Sequence, residues 1–193
     1  MRHAWEENFI YGNNAVNAKQ FDGLKKLIDT ATASDQVIAM SADGATLTLE
    51  KVDALIDAVM GGKPDMLLMS RRSRRKLNQL MRALGSMSIE KDQFGTFVTL
   101  YNGIPCYVSD WILDTHTVAA SLETATTGAV CSTIYAFQMG EGALAGISGP
   151  GGLTAERIGA LETKDTSRIR IKWYTSLVLF SAKKAAALIG VED

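Results

Sequence analysis

The sequence predicts an α+β protein, because amphipathic helical segments alternate with apolar strand segments along the chain. Three observations support this class. A strand that passes directly into a helix begins at Pro64, a hairpin signal surrounds Asn102-Gly103, and an unusually long strand pattern runs from Arg168 to Phe180. We therefore expect a mixed sheet with flanking helices and one long strand.

The long strand pattern is expected to connect parts of the fold rather than to form an active site. At about 3.3 Å per residue it would extend about 40 Å, roughly twice the usual strand. Its apolar face is expected in the core: Ile169, Ile171, Trp173, Leu177 and Leu179. Its basic face is expected at the surface or against a partner: Arg168, Arg170 and Lys172. The alternation of the two sets is typical of a strand buried on one side.

The composition favours a folded protein with no overall attraction to polyanions. The chain has 193 residues, of which 47% are hydrophobic, enough to fill one good core. Its 20 Lys and Arg residues nearly balance its 21 Asp and Glu residues, so net charge does not favour nucleic acid or anionic membranes. No run approaches the about 18 apolar residues of a membrane span, and no signal-peptide pattern is present. The sequence thus predicts a soluble, cytoplasmic protein.

The first third of the chain predicts a connector followed by two helices. Residues 1–20 show no sustained period and are interpreted as a connector. A short helix is expected to follow Gly23, with Asp22 as its candidate N-cap. A stronger helix from Leu49 to Met60 has an apolar stripe and a Gly-Gly stop at Gly61.

The middle of the chain predicts a strand, a helix and a hairpin. The apolar run Met66–Met69 is typical of a strand buried on both faces, and Ser70 or Ser73 would cap the helix that follows. Two further strands, separated by Asn102-Gly103, fit a type I′ turn. Because Pro105 lacks an amide donor, its strand is expected at a sheet edge or with incomplete pairing.

The last third predicts loops, strands and a terminal helix. Residues 116–128 are interpreted as a surface loop, and Ala129–Met139 as an apolar strand. The Gly-rich segment 140–152 is expected to make a sharp change of direction at a subdomain boundary. Leu153–Leu161 fits either a strand or a helix. Ser181 is expected to cap a short Ala-rich helix that ends at Gly190.

Few residues offer catalytic chemistry. A nucleophilic site would need Cys106 and His116, with Asp110 or Asp114 to orient the imidazole. Nothing in the spacing selects that arrangement, and no Gly-x-Ser-x-Gly elbow is present. The simpler interpretation is a solvated loop histidine, with Cys106 and Cys131 as buried thiols.

The sequence predicts no cofactor, nucleotide or metal. Gly140–Gly146 follows a strand, as a dinucleotide-binding loop would, but the next segment cannot supply a helix N-terminus. Three carboxylates at helical spacing, Glu50, Asp53 and Asp57, are interpreted as a solvated helix face. No second cluster of oxygen ligands accompanies them.

One concentrated basic cluster occurs at the start of the second amphipathic helix. Its members are Arg71, Arg72, Arg74, Arg75 and Lys76. Positive charge at a helix N-terminus opposes the helix dipole, so contacts to phosphate or to an acidic neighbour would explain the cluster. A solvated helix face is the simpler interpretation, because no aromatic residues interleave with the basic ones.

The order of these parts resembles a known family. The segments that carry the resemblance are Phe21-Asp-Gly-Leu, Pro64-Asp-Met-Leu-Leu-Met-Ser, the basic helix, Tyr101-Asn-Gly-Ile-Pro-Cys-Tyr-Val-Ser-Asp and Arg168-Ile-Arg-Ile-Lys-Trp-Tyr. Together they resemble the major capsid protein of tailed bacteriophages, the Hong Kong 97-type fold, from the segment after the long spine helix to the C-terminus.

The resemblance implies a division of the chain. Residues 32–150 would form the axial domain, with a mixed sheet and flanking helices. Residues 1–31 would be a connector and the start of a peripheral-domain remnant, and residues 151–193 would be a peripheral segment with the long strand. The N-terminal arm, extended loop and spine helix of the family are not represented. We therefore expect a truncated or remnant prophage gene, or a fragment, that does not form closed shells alone.

The resemblance also implies a function. It is that of a non-enzymatic structural protein, a phage or prophage major capsid protein that self-associates through capsomer-type contacts, with other capsid components as further partners. It would assemble in the bacterial cytoplasm and lie in the virion capsid, without cofactor or membrane and with nucleic acid as an indirect partner at most. Candidate contacts to neighbouring subunits or to phosphate are Arg71, Arg72, Arg74, Arg75, Lys76, Arg168, Arg170 and Lys172. The alternatives are a small enzyme that uses Cys106 and His116, and a nucleic-acid-binding module that uses residues 71–76.

Overall fold

The computed structural model confirms the α+β class. It describes residues 2–31, 34–41, 44–86, 88–91, 95–119, 122–125, 130–161 and 164–192. The helices are α1 (Arg2–Tyr11), α2 (Leu24–Ala31), α3 (Leu49–Ala58) and α4 (Arg71–Ala83), with single 3-10 turns at Ser34–Gln36 and Ala182–Lys184. The strands are β1 (Val37–Ala39), β2 (Ala45–Thr46), β3 (Met66–Met69), β4 (Ser88–Lys91), β5 (Phe97–Tyr101), β6 (Ile104–Val108), β7 (His116–Ala119), β8 (Leu122–Ala125), β9 (Ser132–Phe137), β10 (Leu144–Leu161), β11 (Lys164–Leu179) and β12 (Ala185–Glu192).

Eight strands form one mixed sheet in the order β1-β12-β9-β3-β6-β5-β4, with β2 also paired to β12. The β1–β12, β2–β12 and β3–β6 pairs are parallel, and the others are antiparallel. Two separate hairpins, β7–β8 and β10–β11, complete the described strands.

A core lies on each face of the large sheet. Alternate residues of β9 point to opposite faces, so Ile134 belongs to one core and Tyr135 to the other. The first core is covered by α3 and α4, through Val52, Leu55, Leu77 and Met81. The second is covered by α1 and α2, through Ile10, Leu24 and Ile28.

Several local predictions are confirmed. Strand β3 covers the predicted apolar run Met66–Met69 but begins two residues after the predicted start at Pro64. The Ser70 hydroxyl accepts a hydrogen bond from the Ser73 amide at the start of α4. Asn102 and Gly103 have φ values of +50° and +78°, as a type I′ turn requires. The Tyr101 hydroxyl donates a 2.7 Å hydrogen bond to Asp53, so this carboxylate secures the hairpin in addition to facing solvent.

The strand that contains Pro105 was predicted to lie at a sheet edge or to pair incompletely, and the structure shows incomplete pairing. Strand β6 is not at an edge, because it lies between β5 and β3. Its parallel pairing with β3 begins only at Cys106, one residue after the proline. The missing amide donor therefore costs no ladder hydrogen bond with β3.

The connector predicted for residues 1–20 is wrong for its first half, which forms α1. The helix is stabilised by tertiary packing, since Ile10 is buried against α2 and the sheet. Asp22 is also not the N-cap of α2, because Gly23 occupies that position and its carbonyl accepts from the Leu27 amide. The Asp22 carboxylate accepts hydrogen bonds from the Asn14 amide at 2.9 Å and the Lys26 ammonium at 2.7 Å.

The surface loop predicted for residues 116–128 is also wrong where the structure describes it. Strands β7 and β8 form a hairpin there. His116 is buried, and its backbone exchanges two hydrogen bonds with Cys131. The prediction of a solvated histidine is wrong, because the pairing with Cys131 is a non-local contact that the local sequence pattern does not reveal. Residues 120–121 and 126–129 lie outside the described part of the chain.

The Gly-rich segment 140–152 changes direction only at its start, where residues 140–143 form a turn in which the Ala143 amide donates to the Gly140 carbonyl. Most of it lies inside β10, and Leu153–Leu161 continues that strand rather than a helix. The Ala-rich helix predicted after Ser181 is a single 3-10 turn followed by β12. Burial of β12 on both faces between β1 and β9 overrides the helical propensity of its alanines.

Candidate functional site

The β10–β11 hairpin contains the two longest strands of the described chain. Its strands have 18 and 16 residues and pair only with each other within the described chain. The base is anchored, because Leu144 and Leu177 are buried in the second core. Beyond the base, the hairpin has exposed faces and two strand edges without a partner strand among the described residues.

One face of the outer hairpin is mostly apolar, with the exposed Arg157 opposite Ile169 on the same face. The antiparallel register places Leu153 opposite Trp173, and Ala155 opposite Ile171. Leu153 is 63% exposed and Ile169 is 64% exposed. These side chains form an apolar strip on one face of a single layer.

This exposure corrects the prediction that the apolar face of the long strand lies wholly in the core. Leu177 is buried as predicted, and Leu179 is partly buried. Ile169, Ile171 and Trp173 are exposed, because this part of β11 extends beyond the large sheet. A pattern of alternation identifies the apolar face but not whether a second layer covers it.

The opposite face of the outer hairpin is charged. Lys172 and Glu156 form a cross-strand ion pair of 2.7 Å, and its hydrogen bond lowers the pKa of Glu156. Arg168 and Arg170 are exposed beside this pair. The basic side chains thus lie on the outward face that the alternation indicated.

A glycine-rich bulge divides the hairpin into an anchored base and an exposed outer part. The register passes from Ser148 opposite Thr175 to Leu153 opposite Trp173, so residues 149–152 face Tyr174 alone. Gly151 has a φ of +91°, which other residues rarely adopt. The Gly-rich composition therefore marks an irregularity within the strand.

An aromatic contact joins the hairpin to the N-terminal helix. The indole of Trp5 stacks on that of Trp173, with ring centroids 6.2 Å apart and planes inclined by 22°. Trp5 also stacks on Phe9 and contacts Phe21. Sequence reasoning missed this cluster because it did not predict α1.

The basic cluster lies on α4, which is not part of the β10–β11 hairpin. Arg71 forms an ion pair with Asp110 that lowers the pKa of the exposed carboxyl. Arg72 lies 3.9 Å from Asp114 and donates to the Val130 carbonyl. Arg74 and Arg75 are exposed, and Lys76 is half-buried.

The residues proposed for nucleophilic chemistry do not form one site. Cys106 lies in the first core, where burial raises the pKa of its thiol to about 12. The ring of His116 packs edge-on against Tyr11, which belongs to the second core on the other face of the sheet. Cys106 and Cys131 are both buried, and neither forms a disulfide.

The clefts among the described residues offer little for a ligand. One of about 460 Å³ lies between residues 14–27 and residues 173–177 of β11. A cleft of about 550 Å³ separates α1 from the end of β6. Of its two carboxylates, Glu6 accepts a 3.0 Å hydrogen bond from the Trp111 indole, and Asp110 pairs with Arg71. The described residues contain no group of three or more His, Cys, Asp and Glu side chains able to hold a metal ion. They also contain no helix long and apolar enough to cross a membrane.

Solved structures share the overall fold of this chain. The SrpI encapsulin of Synechococcus elongatus PCC 7942, in its holo complex, superposes with a TM-score of 0.75 at 17% identity over 100% of this chain and 62% of that chain. The chain has the Hong Kong 97-type fold. The capsid of an empty GTA particle matches this Hong Kong 97-type chain with a TM-score of 0.58 at 15% identity, over 97% of this chain and 62% of that chain. The capsid of a native GTA particle gives 0.57 at 14% identity, over 96% and 60% of the two chains.

The likeness is one of structure. No protein-family model matches the Hong Kong 97-type chain, and no curated protein matches it in sequence. The chain spans about 62% of the length of the encapsulin that it matches. The fold predicted from the resemblance is thus confirmed, and the domain boundaries at residues 31 and 150 stay predictions.

Proposed function

We propose that the chain is a structural subunit of a protein shell and that it acts by self-association, as a phage or prophage major capsid protein. The observation that carries this proposal is the exposed apolar face of the β10–β11 hairpin in a fold shared with capsid and encapsulin subunits. No catalytic step is proposed, since Cys106 and His116 lie on different faces of the sheet.

The hairpin is suited to an interface because it is incomplete by itself. Isolated two-stranded hairpins are marginally stable in water, and free strand edges readily pair with another chain. Covering Leu153, Ile169 and Ile171 with a neighbouring subunit would remove apolar surface from water at about 25 cal/mol per Å². Association thereby stabilises both the contact and the hairpin.

The charged face would determine which surface of the neighbour is recognised. Arg168 and Arg170 are exposed, and Lys172 is held by Glu156. We assign these three basic residues to contacts with acidic groups of a neighbouring subunit, where complementary charge sets orientation more than affinity. Repetition of such a contact between two different surfaces builds a ring where the rotation closes and an open assembly where it does not.

The domain organisation and the place of assembly belong to the same proposal. Residues 32–150 would be the axial domain, and the hairpin would belong to a peripheral domain. Assembly would take place in the bacterial cytoplasm, with the product in a virion and with other capsid components as partners.

A second candidate is an encapsulin-type compartment. The encapsulin match favours it, because its TM-score of 0.75 exceeds those of the GTA capsids and it covers the whole chain. Both candidates use the same mechanism of self-association and differ in the contents of the shell.

The contents of native particles distinguish the two candidates. Particles that contain the chain are isolated from the bacterium that encodes it, imaged by negative-stain electron microscopy, and assayed for nuclease-protected DNA and for enclosed protein. A shell with protected DNA supports a capsid protein, and a shell with protein but no DNA supports the compartment. A chain found only as monomer in these extracts contradicts both.

A further inference from the structure

The outer face of α4 carries a charge pattern that has no part in the proposed contact through the hairpin. The 13-residue helix contains six basic residues and no acidic residue. Four arginines, at positions 71, 74, 75 and 82, fall within about 100° of the helix circumference at 3.6 residues per turn. All four are exposed, and they form the arginine stripe.

Most of the arginine stripe is unneutralised. Arg71 is paired with Asp110. Arg74, Arg75 and Arg82 have no acceptor within hydrogen-bond or ion-pair distance among the described residues. Because the whole chain has a formal net charge of −1, this positive charge is a local feature rather than a general bias.

The composition of the stripe favours a phosphate backbone over a protein surface. Protein interfaces have an apolar centre, in which arginine is the one charged residue that is not depleted. The exposed side chains of α4 are the four arginines, Gln79 and Ala83, and the large apolar Leu84 comes only at the C-cap. Guanidinium groups bind phosphate with two parallel hydrogen bonds, and the stripe extends about 16 Å along the helix.

We propose that the arginine stripe binds the phosphate backbone of nucleic acid, without reading its sequence. This inference rests on the proposed function only in that a phage-type shell would present the stripe to its packaged DNA. The opposite face of α4 anchors the helix to the protein, since Leu77 and Met81 are buried in the first core. Arg72 is directed away from the stripe toward Asp114 and the Val130 carbonyl.

The test compares two triple variants with equal loss of charge. Arg74→Gln/Arg75→Gln/Arg82→Gln removes the unpaired members of the stripe. The matched control, Lys19→Gln/Lys91→Gln/Lys183→Gln, removes three exposed charges from separate parts of the surface outside α4 and the β10–β11 hairpin. Binding of a fluorescein-labelled 30-base-pair DNA of random sequence is followed by fluorescence anisotropy between 50 and 200 mM KCl, with urea unfolding as the check on folding.

We expect wild-type binding to weaken steeply with salt. The stripe variant should lose at least about tenfold in affinity at 50 mM KCl. The slope of log K against log salt should become shallower by about 2 to 3, because each phosphate contact contributes about 0.9 to that slope. The control should stay within about twofold of wild type. Absence of binding by wild type, unchanged binding by the folded stripe variant, or an equal loss in the control overturns the inference.

Competition separates nucleic acid from an acidic protein partner. Poly-glutamate that displaces the DNA as effectively as unlabelled DNA, at equal concentration of charge, overturns the inference in favour of an acidic surface. Sedimentation of the same variants reports on self-association separately. DNA binding without self-association would refute the proposed function alone, and self-association with unaltered DNA binding in the stripe variant would refute this inference alone.

Discussion

Trp5 of the N-terminal helix stacks on Trp173 of the long strand, with ring centroids 6.2 Å apart. Trp173 is still 40% exposed, so the contact anchors the hairpin without burying it. The pair marks the point where β11 leaves the second core and enters the exposed part of the hairpin.

Trp173→Ala should therefore cost less than the about 3–5 kcal/mol typical of a fully buried aromatic. We expect about 1–2 kcal/mol, of which about 0.5–1.5 kcal/mol is coupling to Trp5. A double-mutant cycle with Trp5→Ala, measured by urea unfolding of dilute protein, isolates that coupling. Strictly additive losses would show that the stacked pair contributes nothing beyond its burial.

Two residues on the same face of β11 should differ in their effect on stability. Leu177→Ala should cost about 2–5 kcal/mol, because Leu177 is 7% exposed and lies in the second core. Ile171→Ala should cost no more than about 0.5 kcal/mol, because Ile171 is 52% exposed. Urea unfolding of both variants checks the division of the strand, and equal losses would contradict it.

The crossing of α1 and α2 requires glycine at position 12. A Cβ atom there would lie 2.2 Å from the Phe21 carbonyl oxygen and 2.4 Å from that of Asn8. Gly12→Ala should therefore destabilise the fold by at least about 2 kcal/mol, since the clash is with backbone. Gly146→Ala is the control, because its Cβ would meet nothing within 4 Å. Thermal unfolding of the two variants should separate them clearly, and similar melting temperatures would argue against the close crossing.

The Cys106 thiol should be inert and should make stability dependent on alkaline pH. Its folded pKa of about 12 exceeds the ordinary value of 9.0, so the folded state retains the proton that the unfolded state releases. The contribution is fully present below about pH 9 and is lost as pH rises toward 12, at about 1.4 kcal/mol per pH unit at most.

Unfolding curves from pH 8 to 11 in a Cys131→Ala background check this, with Cys106→Ala as the comparison. The variant without Cys106 should show a shallower decline. Rapid alkylation of native Cys106 by iodoacetamide at pH 8 would contradict the burial and would reopen the enzymatic alternative.

The sequence predicted the elements whose signals are local. The Ser70 cap, the Asn102-Gly103 turn and the apolar run Met66–Met69 each depend on a few neighbouring residues, and all three are confirmed. Strand β12 was missed because its alanines favour a helix in isolation. Only the strands on either side of it, β1 and β9, determine its conformation.

The candidate site was predicted in part for the same reason. Alternation identified the faces of the long strand, including Ile169 on the apolar side and Arg170 on the basic side. It could not show that β10 is the partner strand or that the outer hairpin lacks a second layer. Both depend on contacts between residues far apart in the chain, such as Trp5 with Trp173.

The central claim, self-association through the hairpin, is tested most directly by sedimentation velocity over a range of protein concentrations. The variant Ile169→Glu/Ile171→Glu places charge on the apolar face, and Val16→Glu/Leu84→Glu makes the same change at two exposed sites outside the hairpin. We predict oligomers that grow with concentration for wild type and for the control, and a folded monomer for the hairpin variant. A wild-type chain that remains monomeric throughout, or a hairpin variant that associates as wild type does, would contradict the account.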